Sequence, residues 1–334
     1  MIVKLRENRV MRTYLGGSRI DALIHGVKTE DSYFPEDWLA STVRAFNPGR
    51  EDIVEGLGAA EDGTPVTRLV PEGLPILVKL LDAAERLVIQ VHPTRAFARE
   101  AWHSPVGKTE SWYILEADPG ACVYIGFREG VTREKWVDLC ERQDVSAMLG
   151  SLHRFAVRPG DCVFVPGGVP HAIGGGCLML ETQEPSDLMV VPERKTPRGR
   201  ALPESKIHGG IGFARMYDCF TYEGLSPEEA ARRFRRLPRP LDEHVSLLID
   251  GRENGIFSVM TFEARGRAAH VFPPRFAVAV VTRGAGTLSL GGETASVRRG
   301  DRLLLKLDDS PLAAEAEGGK ALSLVVAMPA ERGV

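Results

Sequence analysis

Gln90, His92, Glu110 and His171 are the residues of this chain whose types and spacing could do chemistry. Gln90 and His92 lie in LVIQVHP, Glu110 in GKTESWYI, and His171 near the end of GDCVFVPGGVPHAI. Two imidazoles, a carboxylate and an amide oxygen suffice to hold one divalent metal and leave coordination positions open for a substrate. In an extended segment alternate side chains share a face. Gln90 and His92 therefore point at one ion, while Leu87, Ile89 and Val91 face the packed side. By the same rule Lys108, Glu110 and Trp112 share a face, which places a cation beside the carboxylate, suited to holding an anionic substrate group. The other histidines, His25, His103, His153, His208, His244 and His270, have no partners at ligand spacing and read as surface or capping residues.

The elements that must position these residues read mostly as strands. PILVKLL is followed by the turn DAAE and then RLVIQVHP. Further on come SWYILEA, CVYIGF, RFAVRPGD, CVFVP and CLMLETQ, short, rich in β-branched and aromatic residues, and separated by Gly, Pro or Asp. Many short strands joined by turns favour a sandwich or barrel over a doubly wound sheet. Residues 1–70 are rich in Gly, Pro and Asp and read as loops and short strands. Thr132 can cap a helix REKWVDLCERQ with Trp136, Leu139 and Cys140 on one face, and a short turn follows near DVSAMLG. Ser226-Pro227-Glu228-Glu229 is a strong helix start and opens PEEAARRFRRL, read as a bridge between two halves.

A weak repeat supports those halves. VRPGDCVFVPGGVPHAI begins at Val157 and VRRGDRLLLKLDDSPLA at Val297. The second copy has Lys306, Asp308 and Pro311 where the first has Pro166, Gly168 and His171, so the C-terminal half looks like the same fold with its metal site erased. The glycine-rich RGAGTLSLGG from Arg283 reads as two turns around a short strand, since no helix start follows to make a phosphate loop.

Bulk properties narrow the class. The 334 residues carry a net charge of -3 with no basic stripe or polybasic run, so neither nucleic acid nor an anionic membrane is expected as a partner. The N-terminus is too polar for a signal peptide, and no apolar run approaches the roughly 20 residues of a membrane span. The five cysteines are scattered, with no C-x-x-C pair, and read as small buried hydrophobes in a reducing cytoplasm.

From Gly160 to His171 the chain reads G-x5-P-x-G-x2-H, which resembles the second signature of the cupin superfamily. The first signature is present in part, with Gln90-x-His92 in place of His-x-His and Glu110 later than usual. The stretches PILVKLLDAAERLVIQVHP, GKTESWYIL and GDCVFVPGGVPHAI…LETQEPSD resemble the type I mannose-6-phosphate isomerase family across roughly residues 70–190. The resemblance implies a mainly β chain of two jelly-roll cupin domains. Residues 1–225 would form the catalytic domain, with a helical insertion around 130–150, and residues 226–334 a degenerate second domain. It implies one zinc ion on Gln90, His92, Glu110 and His171, and interconversion of mannose 6-phosphate and fructose 6-phosphate through an enediol. Glu181 matches the family's candidate base, Lys108 a substrate-contacting lysine, and Asp187 a pocket acid. A sugar phosphate is the expected partner, for a monomer or homodimer.

Two positions depart from the family. Val88 stands where a serine is usual, and Val191 where an arginine is usual, with Arg194 or Lys195 close enough to substitute. Both changes touch substrate handling, so a related isomerase acting on another sugar, or a metal-binding cupin that senses a sugar phosphate without converting it, stay open as readings.

Overall fold

The structure, a computed structural model, describes residues 1–330. Two seven-stranded antiparallel sheets dominate it. The first has the spatial order Arg235–Arg236, Cys162–Val165, Glu110–Ala117, Cys177–Gln183, Leu77–Ala83, Glu36–Leu39, Arg9–Val10. The second has the order Ile2–Lys4, Arg302–Lys306, Phe276–Arg283, Leu322–Pro329, Phe257–Ala264, Val245–Ile249, Arg239–Pro240. The orders correspond strand for strand, and the edge strands are exchanged. Ile2–Lys4, from the chain's start, pairs with the C-terminal sheet, and Arg235–Arg236, from beyond the linking helix, pairs with the N-terminal one.

Alternation along each strand builds the layers. Val78, Leu80, Leu178 and Leu180 pack against Val259, Val278, Val280 and Val325 between the two large sheets. Their alternate neighbours face outward: Trp112, Ile114 and Met179 pack under the small sheet of Leu152–Ala156, Cys122–Phe127 and His171–Ile173. Met260, Phe262 and Ala277 likewise pack under a four-stranded sheet with Leu288, Leu312 and Ala314. The result is two jelly-roll cupin domains back to back, the mainly β architecture expected.

The repeat is structural. Gly160 and Gly300 both have φ 93°, and Asp161 and Asp301 each accept a bond from the backbone N–H of Arg158 and Arg298 at 3.0 Å. Sheet register then shows what replaced the site in the second domain. Glu110 pairs with Val165 as Ala277 pairs with Leu305. Glu181 pairs with Lys79 and Trp112 as Val326 pairs with Met260 and Ala279. Ala277, Val326 and Met260 are buried in an apolar core, so the charged groups were exchanged for packing.

The expected helices form at Arg133–Arg142, Val145–Gly150 and Pro227–Phe234. The last carries a full capping box between Ser226 and Glu229 with Pro at its first turn. Ser226→Ala should therefore lower stability by about 1 kcal/mol, read as a shifted denaturation midpoint with unchanged m.

Three local readings need correction. Ser18–His25 is a helix where loops and short strands were expected. Its signals were Ile20, Leu23 and Ile24 at helical spacing, between Gly17 and a left-handed Gly26. Residues 87–93 are extended but form only two single bridges, Gln90 to His171 and Val91 to Val190, because consecutive residues pair with different partners. His153 is buried, its Nε2 bonded to the Leu225 carbonyl, whereas His103 and His208 are C-caps as expected. All five cysteines are free and buried.

Candidate metal centre and pocket

His92, Glu110 and His171 come together with their ligand atoms within 4.8 Å of one another, all buried. Close backbone packing makes this geometry. A Cβ on Gly107 or on Gly167 would lie 2.6 Å from the Pro93 carbonyl oxygen, so glycine at both positions lets two turns close on the His92-Pro93 corner. The Gly168 N–H then donates to the His92 carbonyl at 2.7 Å, and Gln90 and His171 exchange backbone bonds at 2.9 Å. Arg86 and the Ile89 N–H both bond Glu193, which fixes the segment that carries Gln90.

Each imidazole is aimed by a carbonyl: His92 Nδ1–H donates to Leu188 O at 3.0 Å and His171 Nδ1–H to Val169 O at 2.9 Å. Both Nε2 lone pairs are thereby turned toward Glu110. Burial, reinforced by the Lys108 ammonium, pushes His92 down to about 3, and burial lowers His171 as well. For Glu110 burial acts upward, but the Lys108 ammonium outweighs it and holds the carboxyl well below its ordinary range. Neutral imidazoles with an ionised carboxylate are the protonation states that bind metal.

Two observations say the donor set fits a cation. His171 Nε2 is buried and makes no hydrogen bond. The Lys108 ammonium lies 2.7 Å from His92 Nε2 and 3.1 Å from Glu110 Oε2, a positive charge occupying the position a metal would take. Gln90 and Lys108 also line an adjacent pocket.

Glu181, Lys79, Arg12, Glu36, Asp187 and Val88 line that pocket too. Lys79 donates to Glu181 at 3.0 Å and lies 3.8 Å from Glu36. Arg12 pairs with Glu36 at 3.0 Å and Asp187 at 3.2 Å. Burial raises the Glu181 carboxyl, with Lys79 opposing. For Glu36 burial again acts upward and is overcome by Arg12 and Lys79, which leave it strongly acidic. Asp187 is lowered by Arg12 and Lys206 against its burial, and its second oxygen accepts from the Phe46 N–H at 2.9 Å.

Several candidates lie elsewhere. Arg194 and Lys195 are exposed and outside the pocket lining, and the Arg194 guanidinium lies 6.0 Å from the centroid of the Phe213 ring. Val191 is buried among Ile89, Val91 and Trp136. Pro192 turns the chain here, and its carbonyl is tied to the Gln143 side chain, which also accepts from the Arg194 N–H. Trp112 is fully buried and absent from the lining. Its indole N–H donates to Glu110 Oε1 at 3.1 Å, so it orients the carboxylate from behind. Trp112→Phe should weaken metal affinity about 10- to 100-fold, measured by competition with a chromogenic chelator, with the fold intact.

Arg12, Glu36, Lys79, Arg86, Glu193 and Lys206 were not singled out from sequence. Lys79 did carry a signal, as a lone charge inside the apolar strand PILVKLL. His25 lies with Glu7 and Asp21 in a partly exposed cluster, where Arg9 is ion-paired with both acids.

A buried His-Glu-His set in one of two back-to-back cupin domains, beside a pocket of paired acids and bases, defines a cupin with a candidate metal site. No protein-family model matches the chain. The chain is 30% identical to the mannose-6-phosphate isomerase ManA of Bacillus subtilis over 241 residues, 71% of each protein. It is also 30% identical to the mannose-6-phosphate isomerase of Streptococcus mutans over 69% of this chain and 68% of that one. The crystal structure of the Bacillus subtilis mannose 6-phosphate isomerase superposes with a TM-score of 0.75 at 22% identity, covering 98% of this chain and 99% of that one. The chain therefore belongs to the mannose-6-phosphate isomerase family of aldose–ketose isomerases. Among the described residues no helix is long and apolar enough to cross a membrane.

Proposed function

We propose that the protein interconverts mannose 6-phosphate and fructose 6-phosphate with one zinc ion held by Gln90, His92, Glu110 and His171. The observation that carries this reading is the buried His92, Glu110 and His171 cluster, in which His171 Nε2 has no hydrogen-bond partner and the Lys108 ammonium sits against Glu110 Oε2 beside the pocket holding Glu181 and Lys79. The zinc, when bound, supplies positive charge beside the sugar's C1 and C2 oxygens as negative charge develops there.

The chain's own groups account for the proton. Glu181 takes the hydrogen from C2 of the aldose as a proton and returns it to C1, while the oxygen-bound proton passes from O2 to O1, giving the ketose through an enediol. Burial raises Glu181 toward the working pH, where a carboxylate is a better base. Lys79 holds it by one oxygen, fixing its orientation, and is itself held by Glu36. Lys108, which lines the pocket, would be a donor to sugar oxygens with a metal on the four ligands. Val88 stands in the lining with Leu81, Leu87 and Met189, giving the sugar one apolar wall.

Val88 also keeps a related isomerase on another sugar in view. The test is an isomerase assay on zinc-reconstituted protein with a panel of phosphorylated and free aldoses, with solvent deuterium scored at C1 and C2. Turnover of mannose 6-phosphate above the others supports the reading. Turnover confined to another sugar replaces the substrate, and no exchange into any bound sugar leaves a non-catalytic sensor.

A further inference from the structure

Glu184 follows the strand Cys177–Gln183, which carries Glu181, and is 1% exposed. A carboxylate is costly to bury unless its oxygens are used. Here both are. Oε1 is ion-paired with the half-exposed Arg95 and accepts from the Gly107 N–H at 3.3 Å. Oε2 accepts from the Thr109 N–H at 3.0 Å, and the Glu184 N–H donates to the Thr109 carbonyl at 3.0 Å.

These bonds bracket Lys108. The rest of its turn is held just as closely. Ser186 Oγ donates to the Gly107 carbonyl at 2.6 Å, and the Lys108 N–H to the Pro93 carbonyl at 3.0 Å. Gln183 steadies the gripping side, its amide donating to the carbonyls of Glu184 at 2.9 Å and Ser186 at 2.6 Å. Thr109 passes the constraint on. Its hydroxyl accepts at 3.2 Å from the N–H of Gly167, in the turn that delivers His171, and the residue after it is Glu110. Hydrogen bonds to an ionised acceptor are roughly twice as strong as neutral ones, so this carboxylate is a firm anchor for a backbone turn.

The second domain supplies the comparison. Glu110 corresponds to Ala277 and Glu181 to Val326 by sheet register, so Lys108 corresponds to Arg275 and Glu184 to Pro329. A proline side chain accepts nothing, and Arg275 donates to the Pro329 carbonyl at 2.8 Å. The domain without the donor cluster is also without the carboxylate.

We propose that Glu184, braced by Arg95, is a positioning residue for the reaction: it clamps the Gly107–Thr109 turn and through it sets the Lys108 ammonium and the Glu110 and His171 donors. The clamp rests on the isomerase reading only for what Lys108 meets in the pocket. Its hold on the donor cluster is independent of any sugar.

Two measurements separate those parts. Chelator competition gives zinc affinity with no sugar present, and steady-state kinetics gives KM and kcat for the phosphorylated sugar. Both are made on wild type, Glu184→Ala, Glu184→Gln and Arg95→Ala, with Glu184→Ala repeated in the Lys108→Met background. Glu184→Ala should weaken zinc binding about 10- to 100-fold, as for other groups that orient metal ligands. Its KM should rise about tenfold in the wild-type background and less than about twofold in Lys108→Met, because a residue that acts through another is not additive with it. Glu184→Gln keeps one acceptor without the charge and should fall between Glu184→Ala and wild type. Arg95→Ala, altered on the exposed side of the ion pair, should weaken zinc by about threefold with the fold intact.

A lower melting temperature for Glu184→Ala, with zinc affinity and KM unmoved, makes Glu184 a structural acid and the clamp is wrong. KM effects of Glu184→Ala and Lys108→Met that simply multiply also overturn it. If Glu184→Ala does not fold, wild-type zinc affinity and KM in both Glu184→Gln and Arg95→Ala decide against the clamp. If sugar phosphates turn over while zinc affinity and KM ignore Glu184, the clamp fails and the isomerase reading stands. If no sugar phosphate turns over yet zinc affinity depends on Glu184, the isomerase reading fails and the hold on the donor cluster survives it.

Discussion

His171→Ala is expected to purify without stoichiometric zinc and to lose at least about 10³-fold in turnover, since removing even one preorganised stabilising donor typically costs 10²–10³. The ring is fully buried, packed 4.8 Å from His92 and 5.4 Å from Trp112 between centroids. The stability readout separates lost metal from lost fold. Zinc at a thousandfold excess over its Kd should stabilise wild type by about 4 kcal/mol and leave the variant's midpoint unmoved. A variant that keeps wild-type zinc content and turnover would remove His171 from the ligand set.

The second large effect concerns the buried pair of Lys79 and Glu181. Both side chains are nearly inaccessible, 3.0 Å apart, on adjacent strands in direct register. Glu181→Gln should abolish deuterium exchange at C2 and reduce turnover by about 10²–10⁴, the usual contribution of a positioned base. It should also destabilise the protein by about 3 kcal/mol, because Lys79 is left buried without the carboxylate 3.0 Å away, with Glu36 at 3.8 Å as its nearest counter-charge. Replacing both, Lys79→Met with Glu181→Leu, imitates the second domain, where Met260 and Val326 occupy these positions. Stability should return to the wild-type level or above it, and turnover should not. If turnover returned with stability, Glu181 would be a structural acid and the base would have to be sought elsewhere in the pocket.

That comparison shows how one fold carries two outcomes. The strand order and the Gly-Asp turn are shared by both domains. Where the first domain buries Glu110, Glu181 and Lys79, the second buries Ala277, Val326 and Met260. An apolar core costs no desolvation of charge, so buried ions persist only where something else requires them.

The sequence by itself determined the architecture and the candidate ligand cluster. Strand alternation, the G-x5-P-x-G-x2-H turn and the V-R-x-G-D repeat are local patterns, and backbone geometry converts each into a direction in space. His92, Glu110 and His171 could be named because each is set by its own strand or turn. Only the tertiary structure decided which charges meet. Arg12 reaches Asp187 across a separation of 175 residues, and Lys79 reaches Glu181 across 102. Lys206 enters the pocket wall from a short helical turn with no pattern to mark it. Arg194 and Lys195 were near in sequence and turned away in space, because Pro192 and its contacts with Gln143 set the chain's course there. Periodicity fixes which face a residue occupies, but long-range packing fixes what that face meets, and the matching of buried charges depends on the second.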